Sequence, residues 1–106
     1  MGTEEQILQE IVARIAAAAR PTRVILYGSA AGGTTTPDSD IDLLVLEDQV
    51  EDTRRESVRL RAVLRGIEMP LDIAVMRTER FEETKHVVGG IAYPAHKYGK
   101  VIYDAA

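Results

Sequence analysis

The chain has no cysteine, no tryptophan and a single phenylalanine among its 106 residues. Without cysteine there is no disulfide framework and no thiolate metal site, which fits a reducing compartment. Long apolar runs are missing as well, since no stretch approaches the roughly 20 residues of a membrane helix. The opening Met1-Gly2-Thr3-Glu4-Glu5 is acidic and leads into an amphipathic pattern, unlike a secretory signal. A cytoplasmic protein that spans no membrane is expected. Positive charge is also short: 13 Lys and Arg stand against 17 Asp and Glu, a net charge of −4. That argues against a general nucleic-acid binder, whose basic face would attract phosphates.

What is present is a core. Hydrophobic residues make up 45% of the chain, enough for one folded domain over 1–106. Leu8, Ile11, Val12 and Ile15 fall on one helical stripe after a capping box at Thr3–Gln6, and Pro21 stops that helix. Val24–Tyr27 is an apolar run of the kind buried on both sheet faces, ended by Gly28. Ser29–Ser39 is small and polar, with a turn at Pro37-Asp38. Ile41–Leu46 reads as a second strand, interrupted by Asp42. A second helix is expected from about Glu51 to Ile67, with Leu60, Val63, Leu64 and Ile67 as its apolar stripe and Gly66 and Pro70 as its end.

Leu71–Met76 is a third strand, again with one acid inside it. Thr78 would cap a helix through Phe81 and Glu82. After Gly89-Gly90 the pattern weakens, because Pro94 interrupts any regular helix, and Val101–Tyr103 suits a short last strand. The order predicts an α/β (α+β) domain: a small mixed β-sheet flanked by helices.

Three acids stand out against this frame. Residues i and i+2 of a strand share a face, so Asp40 and Asp42 project together. Clustered carboxylates repel, and at least one pKa rises unless a cation offsets them. Mg²⁺ suits such a set, because it takes oxygen ligands and shares its shell with phosphates and water. Asp72, between Leu71 and Ile73, can join the pair if the second and third strands are neighbours. Three carboxylates could then hold two ions that clamp the attacking and leaving oxygens of an in-line displacement. Gly28-Ser29 offers close backbone approach and a small donor for a phosphate. Each feature has a plainer reading: Gly-Ser as a turn, Asp38 as a turn residue, Asp72 as an edge-strand acid. The joint pattern is the more specific signal.

Leu26-Tyr27-Gly28-Ser29 followed by Asp40-Ile41-Asp42-Leu43-Leu44-Val45 resembles the signature of the DNA polymerase β-like nucleotidyltransferases. The small size is similar to the minimal nucleotidyltransferases (MNT) found beside HEPN-domain proteins. The resemblance implies that Asp40, Asp42 and Asp72 bind two Mg²⁺ and are catalytic, while Gly28 and Ser29 contact a bound triphosphate. It implies transfer of AMP from ATP to an acceptor hydroxyl, in an antitoxin whose partner is a HEPN toxin. Larger relatives close the site with a second helical domain, so here a partner or a second copy of the chain is expected to supply acceptor binding. One departure is visible: relatives place basic side chains after Gly-Ser, where this chain has Ala30-Ala31-Gly32-Gly33. Two other readings are a subunit that modifies a small molecule such as an aminoglycoside, and a non-catalytic antitoxin acting by binding alone.

The remaining polar clusters read more plainly. Arg54, Arg55, Arg59, Arg61 and Arg65 suit a solvated helix face paired with Glu51 and Glu56, rather than a strip for RNA. His86 and His96 lack ligand spacing to each other or to the acids. Tyr93, Tyr98 and Tyr103 are expected to pack the last helix on the sheet.

Overall fold

The computed structural model describes residues 4–28, 41–67 and 69–105. Eight elements follow in order: α1 (Glu4–Ala19), β1 (Arg23–Tyr27), β2 (Ile41–Glu47), α2 (Thr53–Val63), β3 (Leu71–Arg77), α3 (Thr78–Thr84), α4 (Ala92–Tyr98) and β4 (Lys100–Asp104). The strands form one mixed sheet in the order β3-β2-β1-β4. β1 is antiparallel to β2 and β4, and β2 is parallel to β3 through the α2 crossover. This is the mixed sheet with flanking helices that the pattern of apolar runs predicts.

Strand alternation sorts the core into two layers. Ile41, Leu43 and Val45 of β2 join Val24, Leu26, Ile73 and Val75 on one face, covered by Ile11 and Ile15 of α1, Leu60 of α2 and Leu64 just after it. On the other face Ile25, Leu44 and Leu46 meet Phe81 of α3 and Ala92 and Ala95 of α4. Because both faces of β2 are covered, its sequence is a continuous apolar run rather than an alternating one. An acid in that run is therefore informative.

The helix boundaries correct several expectations. Arg20, left-handed at φ +51°, closes α1 just before Pro21. Proline disfavours the right-handed helical region in the residue before it, so the stop falls where expected. Thr3, the expected cap of α1, lies outside the described residues. α2 is shorter than the 51–67 span: Asp52 caps it by accepting from Arg55 N–H, and it ends at Val63. Leu64–Ile67 continues as hydrogen-bonded turns with Gly66 at φ +95°. Thr78 does not cap α3; it is the first helical residue, and its Oγ1 lies 2.8 Å from Thr22 Oγ1.

Pro94 does not prevent a helix. It is the third residue of α4, where a backbone N–H would have no intrahelical acceptor in any case. Tyr98 is 67% exposed rather than packed on the sheet, and Tyr103 packs with the α1–α2 layer. His86 and His96, unrelated by sequence spacing, meet edge to face with ring centroids 5.0 Å apart. The arginines of α2 do face solvent, and Arg59 pairs with Glu56 at 2.8 Å. Among the described residues, no helix is long and apolar enough to cross a membrane.

Candidate active site

Asp42 is the second residue of β2, and Asp72 is the second residue of β3. The two strands run parallel with Asp42 directly opposite Asp72. Residues in register on neighbouring strands point to the same face, with backbones about 4.8 Å apart. They share the face that α3 and α4 cover further along the strands. This position at the strand starts lets two carboxylates sit in an apolar run without deep burial. Asp42 is half-buried and Asp72 is exposed.

β1 supplies the third side of the cluster. Tyr27, its last residue, is in register with Asp42. Burial pushes the Tyr27 phenol above its ordinary pKa, and the negative charges of Asp42 and then Asp72 push it further. The phenol therefore stays protonated and can only donate to, or accept at, neighbouring groups as a neutral hydroxyl.

Gly28 follows at φ +77°, in the left-handed region that glycine enters without a Cβ penalty. A Cβ built at Gly28 would collide with the Asp42 carboxylate. The absent side chain is thus space that Asp42 occupies. Arg61, in the last turn of α2, lies with Nη2 3.7 Å from Asp72 Oδ1. That separation is a loose, solvent-exposed ion pair rather than a hydrogen bond.

Among the expected site residues, Gly28, Asp42 and Asp72 come together at one end of the sheet. Asp40 and Ser29 lie outside the described residues. Among the described residues, no three His, Asp or Glu side chains form a metal-binding cluster. Two neighbours escaped the reading of the sequence, Tyr27 and Arg61. Tyr27 was visible as the residue before Gly28, but an apolar strand reading absorbed it. Arg61 resembles any other solvated arginine until the α2–β3 packing is known.

The described residues also form grooves elsewhere, two of them spacious. One of about 520 Å³ runs between α1 and β4, lined by Leu8, Val12, Ala16, Val101 and Tyr103 among others. Another of about 550 Å³ lies beside Glu47, Glu56 and Arg59. Neither is lined by Asp42 or Asp72, and neither presents paired carboxylates at the end of adjacent strands together with a glycine turn.

Known proteins share this architecture. The chain is similar in structure to a candidate nucleotidyltransferase from Sulfolobus solfataricus, with a TM-score of 0.65, 18% identity, and coverage of 94% of this chain and 79% of that one. A toxin–antitoxin structure with AMP-PNP aligns at a TM-score of 0.67 and 17% identity, covering 92% of this chain and 73% of that one. At such identities the likeness concerns the fold. No curated protein matches the chain in sequence. The family model for the nucleotidyltransferase domain matches residues 5–93, a span that runs from α1 into α4 and includes Gly28, Asp42 and Asp72. The chain belongs to the nucleotidyltransferase domain family.

Proposed function

We propose that the protein is a Mg²⁺-dependent nucleotidyltransferase that moves AMP from ATP to a hydroxyl on a partner protein, as the antitoxin of a HEPN/MNT pair. The observation that carries the chemistry is the register of Asp42 against Asp72, two carboxylates held on one face beside a glycine turn. A neighbour of the same fold was solved as a toxin–antitoxin with AMP-PNP, which supports the choice of system and of nucleotide.

The donor set suits a hard cation. Asp42 and Asp72 offer only oxygens, and the missing side chain of Gly28 leaves the Asp42 carboxylate its place at the end of β1. Asp40, two residues before Asp42 in the sequence, is the proposed third ligand, and Ser29 is the proposed donor to the triphosphate. Bound by these carboxylates, two Mg²⁺ would acidify the acceptor hydroxyl and offset charge on the departing pyrophosphate.

The chain's own residues set the geometry. Asp42 and Asp72 fix where the α-phosphate must sit, and Gly28 lets the phosphates approach the end of β1. The acceptor oxygen forms a bond to the α-phosphorus as the bond to the β-phosphate bridging oxygen breaks. The hydroxyl proton passes to solvent or to an acceptor-side base, and pyrophosphate leaves. In this reading the acceptor is presented by a second surface, a HEPN-domain partner or another copy of this chain.

Incubation with labelled ATP, Mg²⁺ and the product of the adjacent gene tests this reading. Label on the partner, lost in Asp42→Asn, is expected. Label on a small acceptor such as an aminoglycoside would replace the partner with a small molecule. Neutralisation of a toxin that survives Asp42→Asn with no label transferred would mean binding alone.

A further inference from the structure

From Val24 to Thr53 the chain contains no lysine or arginine. The stretch of sequence that follows Gly28 therefore brings no positive charge of its own. A nucleotide carrying several negative charges at a site built from carboxylates needs one from elsewhere. α2 is where basic residues resume, and its C-terminal turn sits at the same end of the sheet as Asp72.

Most arginines whose contacts are resolved are already committed. Arg59 holds Glu56 through two bonds of 2.8 Å. Arg77 donates to Val50 O at 2.6 Å, and Arg14 donates to Arg65 O at 3.0 Å. Arg61 differs. It lies 3.7 Å from Asp72, with side-chain exposures of 59% and 64% for the two partners. A pair this long and this wet contributes little to stability, so it is not a strut of the fold. It is a cation resting beside the acids.

We infer that Arg61 is a phosphate-binding residue of this site, resting against Asp72 and turning to the β- and γ-phosphates when a metal-bound nucleoside triphosphate arrives. The inference rests on the nucleotidyltransferase reading above. Were Asp72 to hold a divalent ion, its charge would no longer be available to Arg61, and the guanidinium would be freed to turn. The phosphates then offer the planar fork a bidentate acceptor. The long flexible stem makes the exchange possible without moving α2.

Two binding measurements separate this role from a structural one. Calorimetry with a nonhydrolysable ATP analogue and Mn²⁺ gives nucleotide affinity, and electron paramagnetic resonance gives Mn²⁺ binding without nucleotide. Arg61→Ala is expected to weaken the analogue about tenfold, the worth of one charge-assisted phosphate contact. Mn²⁺ alone should bind unchanged or up to about threefold tighter, because a competing cation has left Asp72. Arg61→Lys, keeping charge without the fork, should fall between the two proteins. An Arg61→Ala variant that binds the analogue like wild type, or that loses Mn²⁺ in step with the analogue, overturns the assignment. Asp42→Asn reports on the parent reading: if it abolishes analogue binding while Arg61→Ala leaves it intact, only Arg61 was wrong. If wild type takes up no analogue, both fall together.

Discussion

β2 carries an acid near each end, and the two meet opposite fates. At its start, half-buried Asp42 faces exposed Asp72 across the parallel ladder, beside the last residue of β1. At its end, Glu47 is only 6% exposed, and its Oε2 is buried without a hydrogen-bond donor. Burial first, then the neighbouring Glu56 carboxylate, raise the Glu47 carboxyl to about 7, while Arg59 pulls it down. Below about pH 7 Glu47 keeps a proton that it can offer to Glu56. Glu56 in turn is held below the usual carboxylate range, chiefly by Arg59. One pair is closed by a proton and an arginine; the other lies beside an arginine that pairs only loosely with Asp72. Residue type does not separate them. Depth and the commitment of the nearest arginine do.

The comparison breaks most sharply if the open end can be closed. Gly28→Ala puts a methyl group where the Asp42 carboxylate lies, on a residue at φ +77°. Left-handed strain costs about 1–2 kcal/mol, which a folded domain can survive. The carboxylate, however, must move, and a misplacement of about 1 Å can cost roughly 100-fold in rate. We expect a cooperative melt a few degrees lower, with transfer activity down about 100-fold. A variant with near-normal turnover would show that the position of Asp42 is not critical.

The closed end should respond to pH instead. A carboxyl raised from 4.5 to about 7 on folding favours the folded state while it stays protonated. Its contribution is therefore fully present below about pH 4.5 and lost as pH rises through 7. Glu56 works in the other direction, contributing above its unfolded range and weakening in acid. Glu47→Gln keeps a donor toward Glu56 and removes the titration. The variant should melt higher than wild type at pH 8, by about 2–3 kcal/mol, and nearly level with it at pH 4.5. A difference that stays constant across that range would mean Glu47 does not carry the proton assigned to it.

These two ends were unequally legible. The acid end could be read because Asp42 and Asp72 each interrupt an apolar run, and a charge in such a run needs a reason. Their meeting depended on β2 and β3 being neighbours, which the β2–α2–β3 crossover supplies. Glu47 ends its run, where an acid reads as a return to solvent, so its burial was invisible without the packing of α2. Pro94 misled for a local reason, since its place in the first turn of α4 removes the usual penalty. His86 and His96 met through tertiary contact alone. Periodicity reports which face a residue shares with its own element, and it is silent on what another element brings to that face.

The smallest effect tests whether the two ends are independent. α2 spans them: Asp52 caps its start near Glu47, and Arg61 stands in its last turn near Asp72. Asp52 Oδ1 accepts from Arg55 N–H at 3.0 Å, and Asp52→Ala removes that acceptor. The expected cost is about 1 kcal/mol of stability, read as a modest fall in denaturant midpoint. Fraying of a first turn dies out within a few residues, while Leu60 and Leu64 anchor the far turn in the core. Nucleotide affinity and Mn²⁺ binding should therefore match wild type within about twofold. A parallel loss of nucleotide affinity would mean that α2 transmits strain along its whole length, making the two carboxyl pairs parts of one coupled unit.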